Sequence, residues 1–185
     1  MLEEFLRRQE IYTTKKILCL FFLVYLIFPL YLLPQILPVG RPLDLHLYYT
    51  PMQADTLIAS YGVENRLAYI KGLITIDMVY PLFYSLFLSL LLTFFIARSY
   101  AKHHKMQYVR VLPFFIMLVD IIENICIILM LLEFPCAIES LALMSGLMTL
   151  LKWLLIAITF VILCYAVVHF YLHRSDIEAS DNNGC

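Results

Sequence analysis

The sequence predicts an all-α, polytopic membrane protein: a bundle of four transmembrane helices with a helical first outer loop. Three observations support this fold class: 63% of the 185 residues are apolar, only 15% are charged, and the mean hydropathy is +0.86. A soluble domain needs more polar surface than this to cover its core, so part of the surface must face lipid. The formal net charge of −1 argues against nucleic acid as a partner, because nucleic-acid binding requires a basic face.

Four apolar stretches reach the roughly 20 residues that a helix needs to cross about 30 Å of hydrocarbon. Lipid cannot satisfy free backbone groups, and no series of short alternating strands indicates a barrel, so each span is a helix. The first stretch is too long for a cleaved signal peptide, and we expect it to be retained as a signal anchor. The predicted spans cover about residues 17–37, 72–97, 111–132 and 145–172.

Lysine and arginine near the helix ends predict the orientation of the chain. Nine of these residues flank the side that carries both termini and the middle loop, and three flank the other side: Arg41, Arg66 and Lys71. Because cytoplasmic loops carry the excess, we expect both termini in the cytoplasm, with the protein in the plasma membrane (the inner membrane, in a bacterium). The chain then divides into a cytoplasmic segment 1–16, a transmembrane domain 17–172 and a disordered cytoplasmic tail 173–185.

The first outer loop carries the signals of a helix. Thr50 suits the cap position, Pro51 suits the first helical position, and Gln53 can return the capping hydrogen bond. Gly62 suits the end of this short helix, and a second helix is expected to follow it into the second span. We expect a helical cap over the mouth of the bundle at about residues 50–71; a plain helical connector is the alternative.

Prolines interrupt two of the spans. Pro29, Pro34 and Pro38 lie in the first span and its exit, and Pro81 lies near the start of the second. Each removes a backbone donor, so we expect the helix to kink or unwind there. The carbonyl groups that this frees must find partners inside the protein.

The candidate site consists of polar residues that lie within the spans. A charged group at the membrane centre costs about 2.5–3.5 kcal/mol or more, so such groups usually face the bundle interior and find partners. Asp120, Glu123 and Asn124 stand at positions i, i+3 and i+4 and therefore share one face of the third helix. We expect Lys152 of the fourth helix to meet Glu123 or Asp120, and Asp77 of the second helix to complete the set.

These residues predict either of two structures. A polar pocket would use them as its lining, together with Trp153, Tyr80 and Tyr84 at a similar depth. A hydrogen-bond network that only joins the helices would use the same residue types, and aromatic residues at that depth can also be interface anchors. Three carboxyl groups share one amine, so pairing cannot neutralise them all, and we expect at least one to be protonated near neutral pH.

No motif for a metal or cofactor is evident, and we expect neither. The cysteines are scattered without a Cys-x-x-Cys pair and suit apolar packing. His169 and His173 have the i, i+4 spacing that can bind a metal, but no carboxylate or third histidine is placed to complete a site. His103 and His104 suit a solvated turn among lysines.

Two stretches and a dipeptide carry a family resemblance. They are Asp77-Met78-Val79-Tyr80-Pro81-Leu82-Phe83-Tyr84, Asp120-Ile121-Ile122-Glu123-Asn124 and Lys152-Trp153. With them the chain resembles, over most of residues 15–172, a family of uncharacterised bacterial four-span integral membrane proteins. That resemblance implies the architecture and no activity.

The layout is also similar, more loosely, to the superfamily of the sterol isomerases and the sigma-2 receptor. Its members are four-span proteins with a structured first loop and with intramembrane acids that line a lipid pocket. No histidine falls in the outer half of any span of this chain, so the resemblance does not extend to a catalytic histidine.

The leading functional hypothesis is a multi-pass membrane protein that binds a small lipid or lipophilic molecule in a polar intramembrane pocket. The expected partners are the bilayer, that ligand, and a membrane protein or a second copy of the chain. The first alternative is a structural or assembly subunit of a membrane complex. A third, a proton-coupled carrier, is weakened by the small size and by the lack of an internal repeat. The sequence assigns no enzymatic reaction.

Overall fold

The computed structural model describes residues 2–32, 42–101, 104–136 and 138–182, and for Leu2 and residues 173–182 it describes the backbone only. These ranges contain helices and turns and no β-strand, which confirms the predicted all-α fold. The α-helices are α1 (Leu2–Tyr12), α2 (Lys15–Ile27), α3 (Pro51–Gly72), α4 (Tyr80–Ser99), α5 (Leu112–Glu133) and α6 (Glu139–Asn182).

Four helical segments are long and apolar enough to cross a membrane, as predicted: Lys15–Leu32, Pro51–Ser99, Lys105–Glu133 and Glu139–Leu172. The fourth begins at Glu139, before the predicted residue 145. Positions 33–37 of the predicted first span, together with Pro38, lie outside the described residues.

The two ends of the bundle are distinct. At one end, the termini end, Arg98 at the end of α4 donates to the backbone oxygen of Thr13, and the ring of Tyr100 stacks on that of His169 in α6. The opposite end, the cap end, carries residues 42–62. Because the buried residues of this segment share one apolar core with the ends of α5 and α6, it is a packed cap on the bundle.

The helix of the cap begins with the predicted capping box. The Thr50 hydroxyl accepts from the backbone N–H of Gln53 at 3.3 Å, and the Gln53 side chain accepts from the backbone N–H of Thr50 at 2.9 Å. Gly62 has φ 73° and ψ 171°, a conformation that is accessible in practice only to glycine, so α3 bends there. After the bend the helix continues toward the second span, as the sequence predicts.

The backbone is irregular where the prolines predict it. The second span changes from α3 to a π-helical turn at Leu73–Asp77, and Pro81 then stands in the first turn of α4. In the first span, Pro29 lies within a second π-helical turn, Phe28–Leu32. Proline lacks the N–H of a regular helix, and such wide turns are often found at functional positions.

The helices are packed unequally. Helices α5 and α6 share the most extensive interface, and α4 packs against both of them. Helix α2 packs mainly against α4 and contains no fully buried residue, so it lies at the edge of the bundle.

The N-terminal segment contains a helix that the sequence analysis missed. Helix α1 packs across the termini end, where the Gln9 amide donates to Ser89 at 2.7 Å. Glu10 forms an ion pair with the buried guanidinium group of Arg110 at 3.0 Å. The pattern that could have revealed this helix is the spacing of Leu6, Gln9 and Thr13, which are all buried along one face.

The tail also differs from its prediction. Helix α6 continues to Asn182, whereas we expected disorder from residue 173. The composition of this segment is polar, but no proline or glycine occurs between Gly146 and Gly184 to end the helix. The side chains of residues 173–182 and all of residues 183–185 lie outside the described part.

Gly62→Ala is expected to destabilise the cap, because an alanine at this φ and ψ is strained by about 1–3 kcal/mol. A β-carbon at residue 62 meets no atom within 4 Å, so steric crowding adds nothing to the effect. The measurement is thermal unfolding in detergent micelles, with Glu64→Ala on the exposed side of the same helix as control. A melting temperature of Gly62→Ala that equals that of the control would contradict the proposed requirement for glycine at this bend.

Candidate functional site: a polar cavity between the spans

The centre of the site is a buried lysine that pairs with two carboxylates. The Lys152 Nζ atom lies 3.0 Å from Asp120 Oδ1 and 2.7 Å from Glu123 Oε2. The sequence left open which acid Lys152 would meet, and the structure shows that it meets both. The ammonium group therefore joins α6 to α5 through two ion pairs in an apolar interior.

The spacing of residues along α5 and α6 explains how Lys152 can contact two acids at once. Asp120 and Glu123 are three residues apart on α5, and Thr149 and Lys152 are three residues apart on α6, so each pair presents one face to the other. The Thr149 hydroxyl lies 2.7 Å from Glu123 Oε1 and 2.9 Å from the backbone oxygen of Ser145. Glu123 is completely buried by these contacts.

Asp120 has a further partner from α4. The hydroxyl group of Tyr84 donates to Asp120 Oδ2 at 2.9 Å, while Lys152 binds the other carboxylate oxygen. Both oxygens of Asp120 therefore have donors within the chain. This carboxylate links α4, α5 and α6 at one level of the bundle.

The backbone of Asp77 has a hydrogen-bond partner, but one oxygen of its side chain has none, unlike the carboxylate oxygens of Asp120. The Asn124 side chain donates to the backbone oxygen of Asp77 at 3.0 Å, which gives a partner to a carbonyl group of the irregular turn. The Asp77 side chain is only 7% exposed, yet its Oδ2 atom has no hydrogen-bond partner among the described residues. Buried acceptors without a partner are uncommon in folded proteins, and the Oδ1 atom of Asn124 is a second one at this turn.

A cavity of about 260 Å³ connects these groups. Of the predicted site residues, all but Glu123 and Asn124 line it. Glu123 lies behind Lys152 and Asn124 lies behind the Asp77 turn, so both support the wall without forming it. The predicted residues in the wall are Asp77, Asp120, Lys152, Trp153, Tyr80 and Tyr84.

The sequence analysis missed Asp44 and Tyr25, which also line the cavity. Asp44 is buried in the cap, and its Oδ1 atom accepts from the Tyr69 hydroxyl at 2.7 Å. That hydroxyl in turn accepts from the backbone N–H of Leu43 at 3.2 Å. The available signal was an acidic residue within the mostly apolar stretch 42–49, but its position over the bundle depends on the packing of the cap.

Three contacts seat the cap over the cavity. The Trp153 indole donates to the backbone oxygen of His46 at 3.2 Å, and the Tyr49 hydroxyl donates to Ser145 at 2.6 Å. Gly146 allows the cap backbone to approach, since a β-carbon there would lie 2.5 Å from the Tyr49 carbonyl oxygen. Burial raises the pKa of Tyr49 to about 12, so its hydroxyl remains a donor at neutral pH.

No protein-family model, curated protein or solved structure matches this chain. The interpretation of the site therefore depends on its geometry. The side chain of His173, considered above with His169 as a metal pair, lies outside the described part of the chain, and so does His103 of the predicted solvated turn.

Lys152→Met is expected to destabilise the bundle by about 3–5 kcal/mol, because it leaves two buried carboxylates without their cation. Adding Glu123→Gln to this variant is expected to restore part of the loss, since one of the two uncompensated charges is then removed. The measurement is a double-mutant cycle of thermal unfolding in detergent micelles, and additive losses would show that the ion pair contributes no coupling.

Proposed function

We propose that this protein binds a small lipophilic molecule inside the membrane, in the cavity between the cap and helices α4, α5 and α6. The observation that carries the proposal is that Asp77 lines this cavity while its buried Oδ2 atom lacks a hydrogen-bond partner among the described residues. An unpaired buried acceptor costs about 1–3 kcal/mol, and a ligand that donates a hydrogen bond removes that cost.

The lining restricts the polar end of the ligand. Asp44 and Asp77 offer acceptor oxygens, whereas both oxygens of Asp120 already have donors within the chain and two of the three N–H groups of Lys152 are engaged in its ion pairs. The complementary group is a hydrogen-bond donor such as a hydroxyl or an amine. The rest of the wall is aromatic and aliphatic, including Tyr80 and Trp153, which suits an apolar body.

A second candidate function is supported by a different observation. The two ion pairs of Lys152 and the hydrogen bond from Tyr84 join three spans, as expected of a structural or assembly subunit in a membrane complex. In that case the cavity is a packing gap and holds no specific molecule. The carrier hypothesis gains no support of its own from the described residues.

The test is to purify the protein in detergent, identify bound molecules by native mass spectrometry, and compare two variants. Asp77→Leu removes the acceptor and is expected to lose the bound molecule or weaken its binding by up to about tenfold, the size of one hydrogen bond. The matched control is Asp55→Leu, which removes an acid from the cap outside the cavity.

A ligand that is retained equally by wild type, Asp77→Leu and Asp55→Leu contradicts the proposed site. If no molecule binds to any of the three, the structural role is favoured instead. Glu123→Gln is less suited to this comparison, because Glu123 acts on the cavity only through Lys152.

We also propose that the termini end faces the cytoplasm and the cap end faces the opposite side. The support is the distribution of lysine and arginine, nine at the termini end and three at the cap end. In this orientation the cap closes the cavity from the outer surface.

Cys136 provides a direct measurement of this orientation, because it is exposed in the loop between α5 and α6 at the cap end. A membrane-impermeant maleimide is expected to label it in intact cells. The comparison is Ala101→Cys at the termini end in a background with Cys136→Ser and Cys185→Ser, which we expect to be labelled only after permeabilisation. The reverse pattern would invert the proposed topology.

A further inference from the structure

The polar cavity adjoins a second, larger space. An apolar groove of about 460 Å³ lies between α2, α4 and α6. Its wall shares three residues with the wall of the polar cavity: Tyr25, Leu88 and Phe160. The two spaces are therefore neighbours along the bundle, the polar one toward the cap and the apolar one toward the termini.

The groove faces the hydrocarbon of the membrane. Helix α2 forms one side and has no fully buried residue, because it packs mainly on α4. Phe22 on α2 and Phe160 on α6 line the groove and are 44% and 49% exposed. A molecule in the bilayer can thus enter the groove sideways, between α2 and α6, without crossing the cap.

The volumes of the two spaces indicate whether the ligand is compact or elongated. The polar cavity alone, at about 260 Å³, is smaller than the roughly 300–1,000 Å³ that is usual for small-molecule sites. With the groove it falls inside that range. Along α6, the distance from Lys152 in the cavity to Leu163 at the far part of the groove is about 16 Å, at about 1.5 Å per residue.

From this geometry we infer that the ligand is a single-chain amphiphile, a conclusion that rests on the proposed function of the polar cavity. Its hydroxyl or amine head donates to Asp77, and its hydrocarbon chain runs along the groove past Phe160 toward Leu163. The chain exchanges lipid for a protein surface of similar polarity, so its contribution to affinity comes from close packing in the groove and not from the hydrophobic effect. Selectivity then depends on the head group and on whether the chain fits.

The experiment compares a long and a short probe in phosphatidylcholine vesicles that contain the full-length protein. The probes are twelve-carbon and six-carbon primary amines, each with the corresponding alcohol. Trp153 is the only tryptophan and lines the polar cavity, so its fluorescence reports occupation of the head site directly. All variants share one lipid composition, and partition of the probes into the bilayer is therefore constant.

Leu163→Phe narrows the groove and is expected to raise the Kd of the twelve-carbon probes by about tenfold, a typical overpacking effect, while the six-carbon probes bind unchanged. The matched control is Val161→Phe, because Val161 is 69% exposed on the lipid-facing side of α6. This variant is expected to change the Kd of neither the twelve-carbon nor the six-carbon probes. Thermal unfolding of each variant checks that the bundle is intact.

The outcomes separate the two proposals. If none of the probes changes the fluorescence of Trp153, the polar cavity is not a binding site and the proposed function fails together with this inference. If the probes bind but Leu163→Phe weakens long and short ones equally, or no more than Val161→Phe does, the chain does not occupy the groove. The proposed function then stands, and the inferred amphiphile is overturned.

Discussion

The contact of the Lys152 ammonium group with Asp120 and Glu123 fixes how α5 and α6 face each other. In hydrocarbon, a lone charge is costly, so a helix with two acids and a helix with one amine must turn these groups together. A rotation of either helix by one residue, about 100°, would point a charge at lipid. The remaining helices pack around this fixed pair, and Tyr84 from α4 satisfies the oxygen of Asp120 that Lys152 leaves free.

The same face of α6 also positions the cap. Ser145, Gly146, Thr149, Lys152 and Trp153 follow one another at helical spacing, and each of them contacts either the cap or the acids of α5. A polar interior and its cover are therefore built from one stripe of a single helix. This arrangement explains why the outer segment packs as a cap, since its backbone carbonyls at His46 and Tyr49 lie directly on that stripe.

Local signals in the sequence predicted much of this architecture. The number of spans follows from hydropathy, the start of α3 from the capping box, and the meeting of Lys152 with the α5 acids from helical periodicity and the cost of charge in lipid. The missed features depend on contacts between distant segments. Asp44 reaches the cavity only because the cap folds back over the bundle, and α1 is held by Gln9 binding to Ser89, 80 residues further along the chain. Glu123 was expected in the cavity wall. Helical periodicity predicts which face of the helix a residue occupies, but it does not predict whether another side chain, here that of Lys152, lies between the residue and the cavity.

The four acids differ in how completely they are hydrogen-bonded, and this difference favours the proposed binding site over a network that only joins helices. Asp120 and Glu123 have protein partners on both oxygens when ion pairs are counted, and Asp44 receives the hydroxyl of Tyr69. A purely structural network gains most when every buried polar group is paired, because an unpaired one costs more in a medium of low dielectric constant. Asp77 departs from this rule at its Oδ2 atom, and it does so where the described chain leaves a cavity and not a packed interface. The fold thus pairs the acids that join its helices and leaves the Oδ2 atom of Asp77, a residue of the cavity wall, without a partner among the described residues.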